Sequence, residues 1–535
     1  MKRLLSIVCA AMLCCGVMAG AISCGKKEDP ANTLYVELSN AGFGINWVDP
    51  LIEIFESEHP GVTVKKSYLT RKDEDMVGKV LSGTTHLDLL FPETDSVFGV
   101  INQTVTAGGV KYDSPFADLS DIYNTKIPGE DVTMKEKMDK SYLEKATVNF
   151  GGKETYFTAP WMQAPLGFAI NNKVYRDLCA TQNGSKFAKL PNTTDELFAF
   201  MDAILDPANN TGVTPFIHSV ETSYLVHFYE TWMAQYNGMA NQRKWWSGEV
   251  VSGAKKGEKY VPELFEDKGL EYALKIFEKL LDTNKKYAHA NSSLDFTQVQ
   301  NIFLEGDKKI LLMPTGAWLV REMEANYDKD EIDVRYIDMP VASALGTKLG
   351  ITDSELSSLI DYVRGGKTAE KPTFTSTLGI SENEVIAAVS EAANMTPSVN
   401  MYNSIIPAYS SKIGLAKEFL QLMASDRGME AMLKSCGSCT PYRYDITKSP
   451  VKDDIAEFSY SVNLIAEKGY SFFKHDKLFT ANNLGLVNGV SGNLAGHFAV
   501  PQTSDYYMSA EDMIKISLNS AKAQWSTYLK KAGII

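Results

Sequence analysis

Short apolar runs alternate with amphipathic stretches along the N-terminal part of the chain. Residues 34–38, 62–64 and 87–91 are apolar runs of strand length. Between the first two, an apolar stripe with helical spacing begins at Asp49-Pro50 and ends before Pro60, because proline suits the first turn of a helix and interrupts its interior. Strands that alternate with helices in this order predict an α/β fold with a parallel sheet and helical crossovers.

The middle of the chain continues this pattern. A second series of strands and helices begins in residues 156–178, and Thr193 with Glu196 has the spacing of a capping box at the start of a helix. Residues 224–236 and 269–282 predict two more helices. With 535 residues, 44% of them hydrophobic, the chain is long enough for two or three α/β units that each bury a core.

One pattern occurs twice. Residues 349–360 (LGITDSELSSLI) and 378–389 (LGISENEVIAAV) match in their apolar positions, and each contains a capping box of the S/T-x-x-E type. Two copies are too few for a solenoid. We therefore predict a pair of short helices inserted into a larger framework, packed against each other or against one lobe of that framework.

The N-terminal segment has the composition of an export signal. Lys2-Arg3 precedes an almost uncharged apolar stretch, residues 4–22, and a polar segment begins at Cys24. The sequence AISC that ends at this cysteine resembles a lipobox, the bacterial signal in which the cysteine is diacylated and becomes the new N-terminus. We expect a lipoprotein signal peptide at residues 1–23, a lipidated Cys24 and a polar tether at residues 24–30. Cys14-Cys15 offer a second, poorer candidate for the lipidated cysteine. An ordinary secretory peptide and a membrane-spanning helix are the alternatives to a lipoprotein signal.

Charge and cysteine content exclude several classes of protein. The formal net charge is −13 and the sequence has no basic cluster, so we expect no nucleic-acid partner and no adhesion to anionic lipid. No stretch after the signal segment is long and apolar enough to span a bilayer, so the lipid alone would hold the protein at the membrane. The cysteines outside the signal segment are too few for a disulfide-built scaffold, namely Cys24, Cys179, Cys436 and Cys439.

The segment Cys436-Gly437-Ser438-Cys439 allows a redox or a metal interpretation. A thioredoxin-like motif follows a strand and opens a helix, and a zinc site needs two further ligands at suitable spacing. Neither condition is evident, because the segment follows an apolar helix and precedes TPYRYD. We expect a local disulfide or two idle thiols here, and no metal.

Motifs of catalysis are absent from the sequence. It contains no H-E-x-x-H, no G-x-S-x-G and no Walker loop, and its seven histidines are scattered. We therefore expect a protein that is not an enzyme and that binds no cofactor.

The loop after the first strand is close to a nucleotide-binding motif. The segment NAGFGINW, residues 40–47, lies between a strand and a helix and contains Gly42 and Gly44. A dinucleotide fingerprint needs a third glycine for helix packing, and Trp47 stands in its place. The loop is either a damaged nucleotide site or a loop built for another ligand at the carboxyl ends of the strands.

Six segments, in order along the chain, resemble the extracellular solute-binding proteins of ABC importers, particularly the carbohydrate-binding group that includes the maltodextrin-binding proteins. Each segment alone is weakly specific, and their common order carries the resemblance. They are DPLIEIFESEHPGVTVK (49–65), HLDLLFPETDS (86–96), GGKETYFTAPWMQAPLGFAINNKVY (151–175), LPNTTDEL (190–197), FLEGDKKILLMPTGAWLV (303–320) and SSKIGLAKEFLQLMASDRGMEAML (410–433).

That family implies a two-lobed α/β fold of the periplasmic-binding-protein type (type II), with the ligand in the cleft between lobes joined by crossing strands. On this resemblance we expect an N-lobe of residues 31–163 and 312–401 and a C-lobe of residues 164–311 and 402–535. The fifth segment is expected to recross between the lobes. The helical insertion, residues 342–398, has no counterpart in the family.

A sugar site needs aromatic rings that stack on the C–H faces of the sugar, and amide or charged groups that bind its hydroxyls. Residues at strand ends and at family positions meet this requirement. We expect the ligand to contact Phe43, Trp47, Trp161 and Trp318 with rings, Asn40, Glu93, Asp95 and Gln163 with polar groups, and Tyr442 and Arg443 after the cysteine pair. The alternatives are a core position for each aromatic residue and a solvated loop or helix cap for the two acids.

The resemblance implies a lipid-anchored substrate-binding protein on the extracytoplasmic face of the cell membrane. Such a protein, as a monomer, captures an oligosaccharide by hinge closure and delivers it to the transmembrane subunits of an ABC permease. The alternatives are the same fold with a peptide or an anion as ligand, and a surface carbohydrate-active protein or adhesin.

Overall fold

A computed structural model describes most of the chain: residues 30–70, 73–181, 183–219, 223–289, 294–306, 308–328, 331–366, 369–398, 402–437, 440–472, 494–531 and 533–535. The expected signal peptide, Cys24, the tether before Pro30 and Cys439 lie outside the described residues.

The strands of the described residues are mostly short. They are β1 (Thr33–Ser39), β2 (Thr63–Leu69), β3 (Leu89–Phe91), β4 (Val105–Ala107), β5 (Val110–Tyr112), β6 (Thr147–Phe150), β7 (Lys153–Tyr156), β8 (Ala159–Met162), β9 (Leu166–Asn171), β10 (Thr214–Phe216), β11 (Ile310–Gly316), β12 (Val334–Ile337), β13 (Met395–Pro397), β14 (Tyr402–Ser404) and β15 (Tyr470–Phe472).

Helices make up the larger share of the same residues. They are α1 (Asp49–Glu58), α2 (Asp73–Leu81), α3 (Val97–Val100), α4 (Ser120–Asn124), α5 (Met134–Lys137), α6 (Lys140–Ala146), α7 (Asn172–Cys179), α8 (Thr194–Leu205), α9 (Ser223–Asn237), α10 (Met239–Trp246), α11 (Lys268–Leu281), α12 (Phe296–Glu305), α13 (Leu319–Met323), α14 (Ala344–Leu349), α15 (Asp353–Gly365), α16 (Glu382–Ala393), α17 (Ile413–Ala424), α18 (Asp426–Cys436), α19 (Glu457–Lys468), α20 (Leu494–Phe498) and α21 (Ala510–Lys531).

The N-lobe is built around the parallel sheet β2-β1-β3. The central strand β1 places Leu34 opposite Val64 and Val36 opposite Leu89, and nearly all its side chains are buried, as in a parallel strand covered on both faces. Helix α1, with Pro50 in its first turn, packs against α17 and α18. The three predicted strands, the helix between the first two and their parallel order are confirmed.

The C-lobe is built around the mixed sheet β10-β11-β9-β12. Strand β10 is parallel to β11, whereas β9 is antiparallel to both β11 and β12. Helices α9 and α11 pack against each other, and their fully buried rings include Trp232 and Phe277. These two helices confirm the predictions for residues 224–236 and 269–282, because their apolar faces are wide enough to bury a core.

The structure divides the chain between the lobes differently from the expected boundaries. Strand β11, expected to cross between lobes, pairs with β9 from Leu312 to Gly316 inside the C-lobe sheet, and β12 follows in the same sheet. Strand β14 pairs with β8, and α17 and α18 pack on α1, so residues 402–437 lie in the N-lobe. The chain changes lobes between β8 and β9, between β13 and β14, and between α18 and α19. The sequence motifs did not reveal this assignment, because a strand is placed by its hydrogen bonds to a partner strand that is distant in the sequence.

The inserted helices α14 to α16 pack on the C-lobe. Helices α15 and α16 contact each other, α14 and α16 contact α9, and the two capping boxes predicted within the insertion are formed. At the third predicted box only the Thr193 half is formed, because the Glu196 carboxylate accepts from the Asn192 amide. Asn192 Nδ2 donates to Asp361 Oδ1 at 2.6 Å and ties α15 to the C-lobe. A small apolar core that includes Leu356 and Val389 completes the insertion, so the predicted helix pair packs both on itself and on a lobe.

Candidate functional site

The loop after β1 lies directly against the C-lobe. A Cβ atom at Gly42 would stand 2.9 Å from Cγ of Trp318, and one at Gly44 would stand 3.1 Å from Nε of Arg321. Gly44 also has a φ of +64°, which side chains disfavour. Between the glycines, Phe43 meets the Trp318 ring edge to face at 5.8 Å between centroids. The glycines of this loop therefore serve close contact between the lobes.

A cavity of about 890 Å³ opens beside this contact. The N-lobe lines it with the ends of β1 and β2, and the C-lobe lines it with α12 and with the region of α13. Amide, hydroxyl, carboxylate and guanidinium groups share this lining with one aromatic ring, the mixture that a ligand rich in hydroxyls requires. The groups that matter here belong to Asn40, Thr70, Phe296, Gln300, Arg321 and Glu322.

Gln300 presents an unsatisfied acceptor at this cavity. Its side chain is 2% exposed, and its amide nitrogen donates to Glu322 Oε2 at 2.7 Å. The amide oxygen Oε1 is buried and has no hydrogen-bond partner within the protein. Buried polar atoms are nearly always paired, so this oxygen is an exception among the residues that line the cavity.

Trp318 lies where the two lobes meet. It is 8% exposed, its ring covers Gly316, and its Nε1 is 3.3 Å from the hydroxyl of Tyr224. The residue follows β11 and precedes α13, the helix that carries the cavity residues Arg321 and Glu322. This position beside the cavity is consistent with the predicted role in ligand binding, which stays a prediction.

Trp47 and Trp161 lie together in the core of the N-lobe. Their rings stack at 4.3 Å between centroids and 14° between planes, and they are 1% and 0% exposed. Phe91 meets both rings edge to face, and Tyr402 packs on Trp161. Each indole therefore covers one face of the other, and a contact of either ring with a ligand stays a prediction.

The two acidic residues after β3 are buried. Asp95 forms an ion pair with Lys145 of α6, and both side chains are 6% exposed. The opposite charges compensate each other where water is excluded. Burial and, to a smaller extent, the Glu93 carboxylate raise the pKa of Tyr402 well above its ordinary value, so this phenol stays neutral. The alternative of solvated loop acids is wrong, because Glu93 is also only 8% exposed.

Gln163, Tyr442 and Arg443 form a separate group. They line a small cavity where the chain passes between the lobes. Tyr442 pairs with Met138 in an isolated antiparallel β-bridge. Burial raises the pKa of Tyr442 above its ordinary value, so its hydroxyl stays protonated. Cys436 is buried at the end of α18, with its Sγ 3.3 Å from the carbonyl oxygen of Met432.

The predicted residues thus fall into separate groups. Asn40 lines the large cavity, and Phe43 and Trp318 lie beside it. Phe296 and Arg321, which line the same cavity, were missed by sequence reasoning. A signal for Phe296 existed, because Asp295 and Gln298 form a capping box that starts α12 at this ring, and Arg321 follows Trp318 by one helical turn.

Among the described residues, no group of three or more His, Cys, Asp or Glu side chains is arranged to hold a metal ion. In the same part of the chain, no helix is both long and apolar enough to cross a membrane.

The chain is similar to known proteins in its structure. No family model matches the chain, and no curated protein sequence matches it. The maltose-bound MalE3 of T. maritima superposes with a TM-score of 0.54 and 12% identity, over 92% of this chain and 99% of that one. The bacterial solute receptor AcbH superposes with a TM-score of 0.56 and 11% identity, over 93% of this chain and 100% of that one. The cyclic α-maltosyl-1,6-maltose binding protein of Arthrobacter globiformis superposes with a TM-score of 0.55 and 13% identity, over 92% of this chain and 99% of that one.

These superpositions extend over more than nine tenths of this chain and therefore include both lobes. The resemblance inferred from six weak motifs is confirmed at the level of the fold. The chain therefore has the two-lobed α/β fold of the maltose-binding-protein-like solute-binding proteins.

Proposed function

We propose that the protein is the substrate-binding component of an ABC importer and that it captures a sugar in the 890 Å³ cavity between its lobes. The observation that carries this proposal is the lining of that cavity, which both lobes supply and which includes Gln300, whose amide oxygen is unsatisfied. A sugar hydroxyl is a donor of the required kind. The similar structures support a sugar over other solutes, because their names state binding of maltose, β-D-galactopyranose and a cyclic maltosyl-maltose.

The geometry suggests how each group acts. The half-buried ring of Phe296 offers an apolar face to the C–H side of a sugar. The ring of Trp318 packs against Gly42 in the loop that lines the cavity. Asn40 and Glu322 lie on opposite sides of the cavity and bind hydroxyls. A ligand held by both lobes stabilises the arrangement in which Gly42 contacts Trp318, and the permease then recognises this closed form.

Sugar binding is tested by thermal shift and calorimetry on the chain from Gly25 onward. Maltose, galactose, raffinose and chitin oligosaccharides form the sugar panel, and a peptide mixture and phosphate form the non-sugar panel. We expect one sugar to raise the melting temperature, because ligand at a hundredfold excess over Kd adds about 2.7 kcal/mol to stability. Stabilisation by a peptide or by phosphate, with none by any sugar, contradicts the proposal.

The cavity itself is tested by a matched pair of phenylalanines. We expect Phe296→Ala to lower sugar affinity about tenfold, since loss of one ring contact is worth roughly 1.4 kcal/mol. Phe374→Ala removes a similarly half-buried ring in the insertion, and we expect it to leave affinity unchanged. Equal affinities of both variants and of the parent place the sugar elsewhere.

We also propose that diacylation of Cys24 anchors the protein at the extracytoplasmic face of the membrane. The support is the lipobox-like AISC and the polar segment after it. We expect Cys24→Ser to move the protein from the membrane fraction to the soluble fraction, and the control Cys15→Ser to leave it at the membrane. If the Cys15→Ser protein moves to the soluble fraction and the Cys24→Ser protein stays in the membrane fraction, the lipidated residue is Cys15 and the proposal is wrong.

A further inference from the structure

A second, much smaller cavity lies where the chain passes between the lobes. Its volume is about 30 Å³, and Gln163, Tyr442, Asp139, Tyr444 and Asn463 are among its lining residues. Gln163 stands between β8 of the N-lobe and β9 of the C-lobe. Tyr442 stands between α18, which packs on N-lobe helix α1, and α19, which packs on C-lobe strand β12. Two connections between the lobes therefore meet at this cavity.

Both connections supply this cavity with a lining residue that carries a buried, unsatisfied polar atom. Gln163 is 5% exposed and Tyr442 is 3% exposed. The Gln163 Oε1 atom and the Tyr442 hydroxyl are buried, and neither has a hydrogen-bond partner within the protein. Since both residues line one cavity, a single bridging molecule is the simplest way to satisfy both groups.

Three of the neighbouring polar side chains, those of Asp139, Tyr444 and Asn463, are engaged elsewhere. Asp139 Oδ1 accepts from the Ser141 amide at 2.9 Å and caps α6. The Tyr444 hydroxyl donates to Glu430 Oε1 at 2.6 Å, and Asn463 Nδ2 donates to the Ser459 carbonyl at 2.8 Å. These bonds hold part of the cavity wall in place, and none of them reaches Gln163 Oε1 or the Tyr442 hydroxyl.

The bridging molecule must be small and must both donate and accept. Gln163 Oε1 only accepts, whereas the Tyr442 hydroxyl donates and accepts, and burial keeps it protonated. A cavity needs about 10–15 Å³ to hold a water molecule, and this one has about 30 Å³. A sugar ring does not fit in that volume, although a single hydroxyl of a larger ligand does.

We propose that this cavity binds one water molecule, which donates to Gln163 Oε1 and accepts from the Tyr442 hydroxyl. The water belongs to the protein without ligand and links two of the connections between the lobes. It is thus a fixed part of the region about which the lobes move. Gln163 and Tyr442 are then positioning residues of this region and do not contact the sugar.

High-resolution crystal structures of the chain from Gly25 onward, without and with a sugar, test the water directly. We expect an isolated density peak within hydrogen-bonding distance of both atoms in the sugar-free crystal, and its loss in Gln163→Met combined with Tyr442→Phe. A dry cavity in the sugar-free crystal overturns the proposal. A peak that is present only with sugar, and continuous with the sugar density, also overturns it. The sugar-free measurement is independent of the proposed transport function.

A double-mutant cycle gives a second readout in solution. Each single variant, Gln163→Met or Tyr442→Phe, leaves the water with one of its two partners. We therefore expect the double variant to lose less in melting temperature than the two single losses together. Tyr287→Phe removes a buried hydroxyl that donates to Asp202 in the C-lobe core, and its loss should add simply to that of Gln163→Met. Simple additivity for Gln163 and Tyr442 contradicts the bridge.

Discussion

The Trp47→Ala variant is expected to lose about 3–5 kcal/mol of unfolding free energy, the usual cost of truncating a fully buried tryptophan. Trp47 is 1% exposed, stacks on Trp161 at 4.3 Å and meets Phe91 edge to face. Truncation therefore leaves a large cavity in the N-lobe core. Urea denaturation followed by far-UV circular dichroism measures the loss.

The control for this variant is another tryptophan. Trp525 on α21 is partly exposed, so Trp525→Ala should cost clearly less than Trp47→Ala. Equal losses in the two variants contradict a core role for Trp47. The comparison also bears on the ligand: if Trp47→Phe keeps the fold but loses sugar binding, Trp47 contacts the sugar as the sequence predicted.

The Gly42→Ala variant is expected to bind sugar about ten- to hundredfold more weakly. The added methyl group would stand 2.9 Å from Cγ and 3.2 Å from Cβ of Trp318 on the other lobe, and overpacking of this kind costs about 1–3 kcal/mol. The clash exists only when the lobes are in contact, so the variant should favour an open arrangement. Calorimetry measures the affinity, and small-angle scattering measures the radius of gyration, which we expect to increase.

Gly414→Ala is the matched control for that variant. Gly414 lies in the N-lobe helix α17, and nothing lies within 4 Å of the position of its Cβ. We expect this control to keep the parent's sugar affinity and radius of gyration. If Gly42→Ala keeps both values as well, the loop after β1 does not control the contact between the lobes.

Local sequence patterns were sufficient to predict most of the secondary structure. The proline in the first turn of α1 and the capping boxes of α15 and α16 stand where they were predicted. These features act within a few residues, because a helix end is satisfied by side chains one turn away. The parallel order of β1 to β3 followed for a similar reason, since strand, helix and strand in succession leave few alternatives.

The assignment of segments to lobes was decided by long-range pairing. The apolar composition of β11 suits a buried strand of either lobe, and only its pairing with β9 places it in the C-lobe. β14 likewise joins the N-lobe through β8, which is far away in the sequence. A strand does not encode its partner in its own residues, so the motifs that identified the fold gave the wrong lobe for these segments.

The candidate site shows the same limit in single side chains. Trp47 and Trp318 both follow strands and both matched family positions, yet Trp47 lies in the N-lobe core and Trp318 lies between the lobes. Asp95 looked like a polar contact for the ligand and is paired with Lys145 from a distant helix. Neither difference is visible in the residues themselves, because burial and charge pairing depend on what another part of the chain places nearby.

The sequence by itself determined the elements, the α/β class, the two-lobed family resemblance and the glycine-rich loop after β1. The tertiary structure alone decided which residues line the cavity, which tryptophan is core and what the two glycines do. Helix and strand signals arise from neighbours a few residues apart, whereas a site between lobes is made by segments that meet only after folding. Gly42 and Gly44 are the clearest case, since their purpose became apparent from the positions of Trp318 and Arg321 against them.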